Sequence, residues 1–220
     1  MKPFQKSFTQ TAGYQYLLFL PEGYLDGKEK WPMILFLHGA GERGNDLQKV
    51  KRHGIPKIAE EQERFPFIAV SPQCPADQYW LTNMLLSLLD EVADNQRVDT
   101  DSIYLTGISM GGYATWETAI GYPDRFAAIA PVCGGDNPDE VCRIKHVPAW
   151  VFHGAKDPVI PVSESEEMVN ALKRCGGNVR FTVYPEAGHD SWTETYNNPQ
   201  LYEWLLKYKR LAVSPISGGI

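Results

Sequence analysis

The chain has 220 residues, a formal net charge of −6 at pH 7 and a pI near 5.4. That length suits one domain with a large core, and 43% hydrophobic with 22% charged residues is the balance of a soluble globular chain. No apolar run approaches the roughly 18 residues of a membrane span, and Lys and Arg form no cluster, which argues against membrane insertion and a nucleic-acid surface.

The four cysteines, Cys74, Cys133, Cys142 and Cys175, contain no Cys-x-x-Cys pair and are too few to staple a fold of this size, so zinc ligation is not indicated. Cys133 and Cys142 are near enough in sequence for a disulfide, with isolated buried thiols as the equal alternative. No apolar stretch follows Met1 to Lys6, so no secretory leader is expected in this sequence. The default compartment is then cytoplasmic, or secreted or periplasmic if a leader has been removed. One domain is expected over 1–220, with its core at about 14–211 and a loose tail at 212–220.

In chain order, Tyr14 to Leu20 reads as an early strand closed by Pro21-Glu22-Gly23. Trp31 to His38 is almost unbroken in apolar residues, the pattern of a strand covered on both faces, and it runs into the glycine-rich His38-Gly39-Ala40-Gly41-Glu42-Arg43-Gly44. Leu47 to Gln62 reads as helix in pieces, interrupted by Gly54 and Pro56. Phe67 to Ser71 is a short buried strand, and Pro72 to Trp80 a loop. Leu81 to Arg97 has helical periodicity, with Leu85, Leu88, Leu89 and Val92 on one face.

Val98 to Ile108 reads as a buried strand and the segment from Tyr113 as a helix, stopped by Gly121-Tyr122-Pro123-Asp124. Phe126 to Val132, Ala149 to His153 and Val179 to Tyr184 complete the strands. Glu164 to Cys175 and Leu201 to Leu211 are the remaining predicted helices. Strands alternating with helices imply a mostly parallel sheet covered on both faces, with functional residues in loops at the strand C-termini.

Between the strand at Val98 to Ile108 and the helix after it lies Gly107-Ile108-Ser109-Met110-Gly111. A tight strand-to-helix turn lifts a serine hydroxyl clear of the backbone, where a base can take its proton, and the two glycines permit that turn. The base must come from His38, His53, His146, His153 or His189. His189 lies just past the last strand beside Gly188, placed to project over the strand ends. His38 and His153 end strands before glycines, as packed structural groups would, and His53 and His146 read as surface residues.

The base needs a carboxylate to fix its tautomer, and Asp157 follows the strand directly before the one leading to His189. Asp136, Asp139 and Asp190 are its rivals. For an oxyanion hole, Met110 N–H supplies one donor and the loop after the Trp31 strand the other, with Ala40 preferred and Gly41 next.

Gly39-Ala40-Gly41, Gly107-Ile108-Ser109-Met110-Gly111, Asp157-Pro158 and Gly188-His189, in that order, resemble the α/β-hydrolase superfamily. Within it the chain is similar to the compact carboxylesterases of the phospholipase/carboxylesterase and dienelactone-hydrolase-like group, over about Tyr14 to Leu211. The resemblance implies Ser109 as nucleophile, His189 as base, Asp157 as acid and no metal or organic cofactor. A serine where dienelactone hydrolases proper carry cysteine favours ester hydrolysis through an acyl-enzyme.

Only Cys133 to Pro148 separates two strands where a cap would be inserted, so a large lid is not expected. An open site favours short- to medium-chain acyl esters, or a small acyl group on a bulky alcohol, with Trp80 and Trp192, and Tyr79 near them, as candidate pocket walls. The alternatives are a lysophospholipase or acyl-protein thioesterase and, in another class, a catalytically silent binding protein on the same fold. Nothing in the sequence selects an oligomeric state.

Overall fold

The computed structural model describes residues 5–8, 13–62 and 64–210. Its strands are β1 (Gln5–Phe8), β2 (Gln15–Phe19), β3 (Trp31–Leu37), β4 (Ile68–Gln73), β5 (Val98–Ile108), β6 (Ala128–Val132), β7 (Ala149–Gly154) and β8 (Val179–Tyr184). They form one eight-stranded sheet in the order β1-β2-β4-β3-β5-β6-β7-β8. β1 and β2 are antiparallel to their neighbours, whereas β4, β3, β5, β6, β7 and β8 run parallel. The helices are α1 (Gly54–Glu61), α2 (Thr82–Asn95), α3 (Met110–Gly121), α4 (Val162–Arg174), α5 (Trp192–Asn197) and α6 (Pro199–Leu205).

The near-continuous apolar strands supply two cores, one on each face of the sheet. Because side chains alternate along a strand, Met33, Leu35 and Leu37 of β3 join the core that contains Leu85, Leu89, Trp116, Met168 and Leu172 of α2, α3 and α4. Ile34 and Phe36 point the other way, into the core with Ile55, Ile58, Tyr196, Leu201 and Leu205 of α1, α5 and α6. This is the mostly parallel sheet covered on both faces that the strand–helix alternation predicts, and the α/β-hydrolase arrangement that the resemblance implies. The segment from Cys133 to Pro148 holds only a 3-10 turn, Val141–Ile144, and no cap domain.

Several local expectations need correction. β1 was not foreseen, since Gln5-Lys6-Ser7-Phe8 has no apolar alternation; it joins the sheet by antiparallel pairing to β2. β4 runs on through Pro72, which is tolerated because β4 pairs with β3 only from Ile68 to Val70 and has β2 alone as a neighbour beyond that. Pro56 does not interrupt a helix but sits in the first turn of α1, where its missing N–H has no acceptor to lose.

The C-terminal helix is α6, which starts at Pro199 with the Asn198 side chain accepting from Gln200 N and ends at Leu205, not Leu211. Leu211 and the tail at 212–220 lie outside the described residues. The disulfide joins Cys142 to Cys175, with 5.6 Å between their Cα atoms, and not Cys142 to Cys133. Cys142 lies in the 3-10 turn packed against α4, whose C-cap is Cys175, whereas Cys133 is a buried free thiol at the end of β6.

The sheet order reverses at β3: the chain passes to β4 on one side and then crosses to β5 on the other. The crevice at such a switch point, outside the strand C-termini, is where α/β sheets place ligand sites. β3 and β5 are in register there, with Leu37 opposite Gly107, so the loop after β3 and the turn after β5 share one edge. Their approach is very close. A Cβ on Gly111 would lie 2.0 Å from Leu37 O, and one on Gly107 would lie 2.3 Å from Gly111 O.

Both obstructions are backbone atoms and cannot swing aside. Gly111→Ala is therefore expected to lower unfolding free energy by about 3 kcal/mol or more. Gly121→Ala, at the end of α3 with nothing within 4 Å of its Cβ, should change it by less than about 1 kcal/mol, toward greater stability. Urea unfolding of the two variants tests the difference, and similar midpoints would contradict it.

Candidate active site

Ser109 is the hinge between β5 and α3, with φ 53° and ψ −117°, a left-handed backbone that side chains other than glycine rarely adopt. Hydrogen bonds lock it there. Ser109 N donates to Val132 O on β6 at 3.0 Å, and Ser109 O accepts from Gly112 N at 2.7 Å and Tyr113 N at 3.1 Å. The side chain is left at the strand tip, with its Oγ 3.0 Å from Nε2 of His189.

His189 comes from the loop after β8 and Asp157 from the loop after β7, and those strands pair with Gly154 opposite Tyr184. The loops are joined by Ala155 N donating to Tyr184 O at 2.9 Å and Lys156 N donating to Ala187 O at 3.0 Å. His189 Nδ1 lies 2.7 Å from Asp157 Oδ2, and the Asp157 side chain is fully buried. The other carboxylate oxygen accepts from Val159 N at 2.8 Å and Ile160 N at 2.9 Å.

Burial works to raise the Asp157 pKa, but the hydrogen bonds from His189, Ile160 and Val159 outweigh it and hold the carboxyl below its usual range. An ionised carboxylate only accepts, so Nδ1 of His189 carries the hydrogen and Nε2 presents its lone pair to the Ser109 hydroxyl. The arrangement can move a proton from Ser109 to His189. Two of the rival carboxylates bond to their own neighbourhood: Asp136 accepts from Asn137 N, and Asp190 from Thr193 N and Oγ1.

Met110 opens α3 and Ala40 opens a 3-10 turn, Ala40–Glu42. First residues of helical turns have N–H groups without an intrahelical acceptor, and neither amide enters a backbone hydrogen bond among the described residues. A Cβ on Gly39 would lie 3.6 Å from Ser109 Cβ, so the peptide leading to Ala40 borders the serine. His38 is fully buried behind this loop, with Nδ1 2.6 Å from Gly39 O and Nε2 accepting from Cys74 N at 2.9 Å. Burial lowers its pKa to about 4, so it is neutral at pH 7 and occupied in structure.

Trp80 is buried, donates from Nε1 to His38 O at 3.2 Å and packs edge-on against His38 and Tyr14. It lines a cavity of about 240 Å³ with Tyr79, Met110, Tyr113, Ala114 and Glu117. Trp192 opens α5 on the other side, its ring 5.1 Å from that of His189 in an edge-on contact and 5.7 Å from that of His53. Both tryptophans thus border the Ser109 and His189 surroundings, Trp80 beside Met110 and Trp192 against the imidazole.

Two contacts were not readable in advance. Cys133 Sγ lies 2.8 Å from Ser191 Oγ and donates to His189 O at 3.4 Å, and burial pushes its thiol pKa up to about 12, which keeps it neutral under the His189 loop. His153 lies 3.3 Å from Asp157 Oδ2. Its place before Gly154 at a strand end marked it as packed, but only the folded chain shows against what. Cys133, His153 and Asp157 bring ligand-type atoms within 4.8 Å of one another. Those atoms are committed to hydrogen bonds with Ser191, Ile160, Ser165 and His189, the pattern of a polar network.

Among known proteins, a thermostable esterase structure superposes with a TM-score of 0.78 and 33% identity, covering 95% of this chain and 64% of that one. The probable feruloyl esterase C of Aspergillus terreus is 26% identical over 181 residues, which is 75% of this chain and 63% of that protein. A poly(3-hydroxyoctanoate) depolymerase of Pseudomonas fluorescens is 25% identical over 193 residues, 73% of this chain and 68% of that protein. The chain therefore spans about two thirds of the length of these relatives. No helix among the described residues is long and apolar enough to cross a membrane. The model of the dienelactone hydrolase family matches residues 48–209, a span that takes in Ser109, Asp157 and His189 and starts after the Ala40 loop. On that match the chain belongs to the dienelactone hydrolase family.

Proposed function

We propose that the protein is a serine carboxylesterase that hydrolyses short- to medium-chain acyl esters through a Ser109-His189-Asp157 triad. The carrying observation is the pair of contacts, 3.0 Å and 2.7 Å, that link Ser109 Oγ to a buried carboxylate through one imidazole. Ser109 Oγ attacks the ester carbonyl carbon while its proton passes to His189 Nε2, and Asp157 stabilises the imidazolium. Met110 and Ala40 N–H groups hold the tetrahedral oxyanion.

The intermediate collapses as His189 protonates the departing alkoxide, leaving an acyl group on Ser109. Water, deprotonated by the same imidazole, then attacks the acyl carbonyl. The second tetrahedral intermediate releases the acid and returns the proton to Ser109. The transfer between Ser109 and His189 uses atoms already within hydrogen-bond reach, and the reaction requires no redox change.

Substrate size follows from the cavity beside Met110. Its volume of about 240 Å³ falls below the roughly 300–1,000 Å³ typical of sites that enclose drug-sized ligands. A cavity of that size suits a short acyl group such as butyryl better than a palmitoyl chain. The rings of Tyr79, Trp80 and Tyr113 on its walls favour a second reading, an aromatic acyl ester. The name of the Aspergillus terreus relative, a probable feruloyl esterase, points the same way.

Ser109→Ala is expected to lower kcat by at least about 10,000-fold, and Asp157→Asn by roughly 1,000- to 10,000-fold. Steady-state turnover of p-nitrophenyl butyrate by purified variants checks both, and appreciable activity in Ser109→Ala would refute the mechanism. In a panel of p-nitrophenyl esters the wild type should turn over butyrate faster than palmitate, and the reverse order would sink the size argument. Methyl ferulate in the same panel decides the aromatic reading by its kcat/KM relative to butyrate.

A further inference from the structure

His153 is a buried polar side chain that the proposed reaction does not use. It lies at the end of β7, fully buried, and both ring nitrogens are engaged. Nε2 is 2.9 Å from Ile160 O and 3.3 Å from Asp157 Oδ2, and Nδ1 is 2.8 Å from Ser165 Oγ. Ser165, buried on α4, has its Oγ 2.9 Å from Gly134 O as well, so its single hydrogen is shared between that carbonyl and Nδ1.

A carbonyl and a carboxylate only accept, so Nε2 of His153 carries a hydrogen, which goes to Ile160 O at 2.9 Å with Asp157 Oδ2 beside it at 3.3 Å. Asp157 Oδ2 accepts from His189, while Oδ1 takes two backbone amides, one of them the N–H of the same Ile160 that His153 holds by its carbonyl. Ser165 pins the His153 ring from α4 and is itself tied to the loop after β6. One chain of contacts therefore runs from Gly134 through Ser165, His153 and Asp157 to His189 and Ser109.

We propose that His153, held by Ser165, is a positioning residue that fixes the Asp157 carboxylate and shares its negative charge, so that His189 is aligned to Ser109. This rests on the triad reading above. The amides that fix Asp157 Oδ1 belong to the turn from Asp157 to Ile160, and His153 holds that turn through Ile160 O while its Nε2 stands 3.3 Å from Oδ2; without it the turn, the carboxylate and the imidazole can shift together. Sharing Oδ2 also reduces the charge that stabilises protonated His189.

The charged and titratable groups facing Asp157 are His189 from its own loop, His153 of β7, the Cys133 thiol at the end of β6 and the Tyr113 hydroxyl of α3, which donates to Glu164 of α4. Of these His189 donates to the carboxylate at 2.7 Å, and the His153 Nε2–H lies beside it at 3.3 Å. Without the His153 donor, the negative charge bears more fully on His189, and the imidazole holds its proton to higher pH.

The test compares His153→Leu, His153→Gln and Ser165→Ala with wild type and Ser109→Ala, each rate normalised to active sites titrated with a fluorophosphonate. His153→Leu should lower kcat by about 10- to 100-fold with KM within about threefold, and move the acid limb of the kcat/KM profile upward by about one pH unit. His153→Gln keeps an N–H donor, so it should stay within about threefold of wild type with the limb in place. Ser165→Ala should lower kcat by about three- to tenfold and move the limb the same way as His153→Leu.

Wild-type kcat and acid limb in His153→Leu would overturn the proposal, as would equal impairment of the Leu and Gln variants. If His153→Leu does not fold, Ser165→Ala decides: an unchanged kcat and limb there would overturn it. Turnover by Ser109→Ala would instead sink the triad reading, whereas an inactive Ser109→Ala beside wild-type behaviour at His153 sinks the brace alone.

Discussion

Everything at the site depends on how closely the backbone can pass itself at the tip of β5. Leu37 O lies where side chains at Gly107 and Gly111 would have to be, so β3, β5 and the first turn of α3 meet with no side chain between them. That approach forces Ser109 into a left-handed backbone and bends the chain off the strand. The same approach sets the loop after β3 against the serine, with Gly39 at its side and Ala40 next. The strained residue persists because three backbone hydrogen bonds and two strand neighbours determine it.

A second requirement is the burial of Asp157. A buried carboxylate is costly unless its oxygens are hydrogen-bonded, and here Oδ1 accepts from two backbone amides and Oδ2 from His189, with the His153 N–H 3.3 Å away. Those donors come from the acid's own loop, from β7 and from the loop after β8. The charge is therefore kept by the same contacts that orient His189. Cys133 and Ser191 extend this polar layer beneath the His189 loop, and His38 with Trp80 forms its counterpart beneath the Ala40 loop.

Much of this was legible in the sequence, for physical reasons that differ by element. The interior strands were readable because both faces are covered, so β3, β7 and the Ile103 to Ile108 half of β5 are largely apolar. Ser109, Asp157 and His189 could be placed because each follows a strand, and parallel strands gather their C-terminal loops on one edge. β1 left no trace because its backbone pairing needs no apolar side chains. The cysteine pairing was not readable because proximity in sequence says little about which loops meet: Cys142 is joined to Cys175 at the end of α4, while the nearer Cys133 points under the His189 loop. The contact between His153 and Asp157 was equally out of reach, since it depends on how the loop after β7 turns back on its own strand.

The central claim is that the turn at Ser109 places its hydroxyl where His189 can activate it to form an acyl-enzyme. Rapid acid quenching of the enzyme during turnover of p-nitrophenyl butyrate, followed by peptide mass spectrometry, tests this most directly. One butyryl group is expected on the peptide containing Ser109, and it should be absent when Asp157→Asn is quenched at the same early time. Butyrate released at the wild-type rate with no acyl group on that peptide, or an acyl group on another residue, would contradict the account.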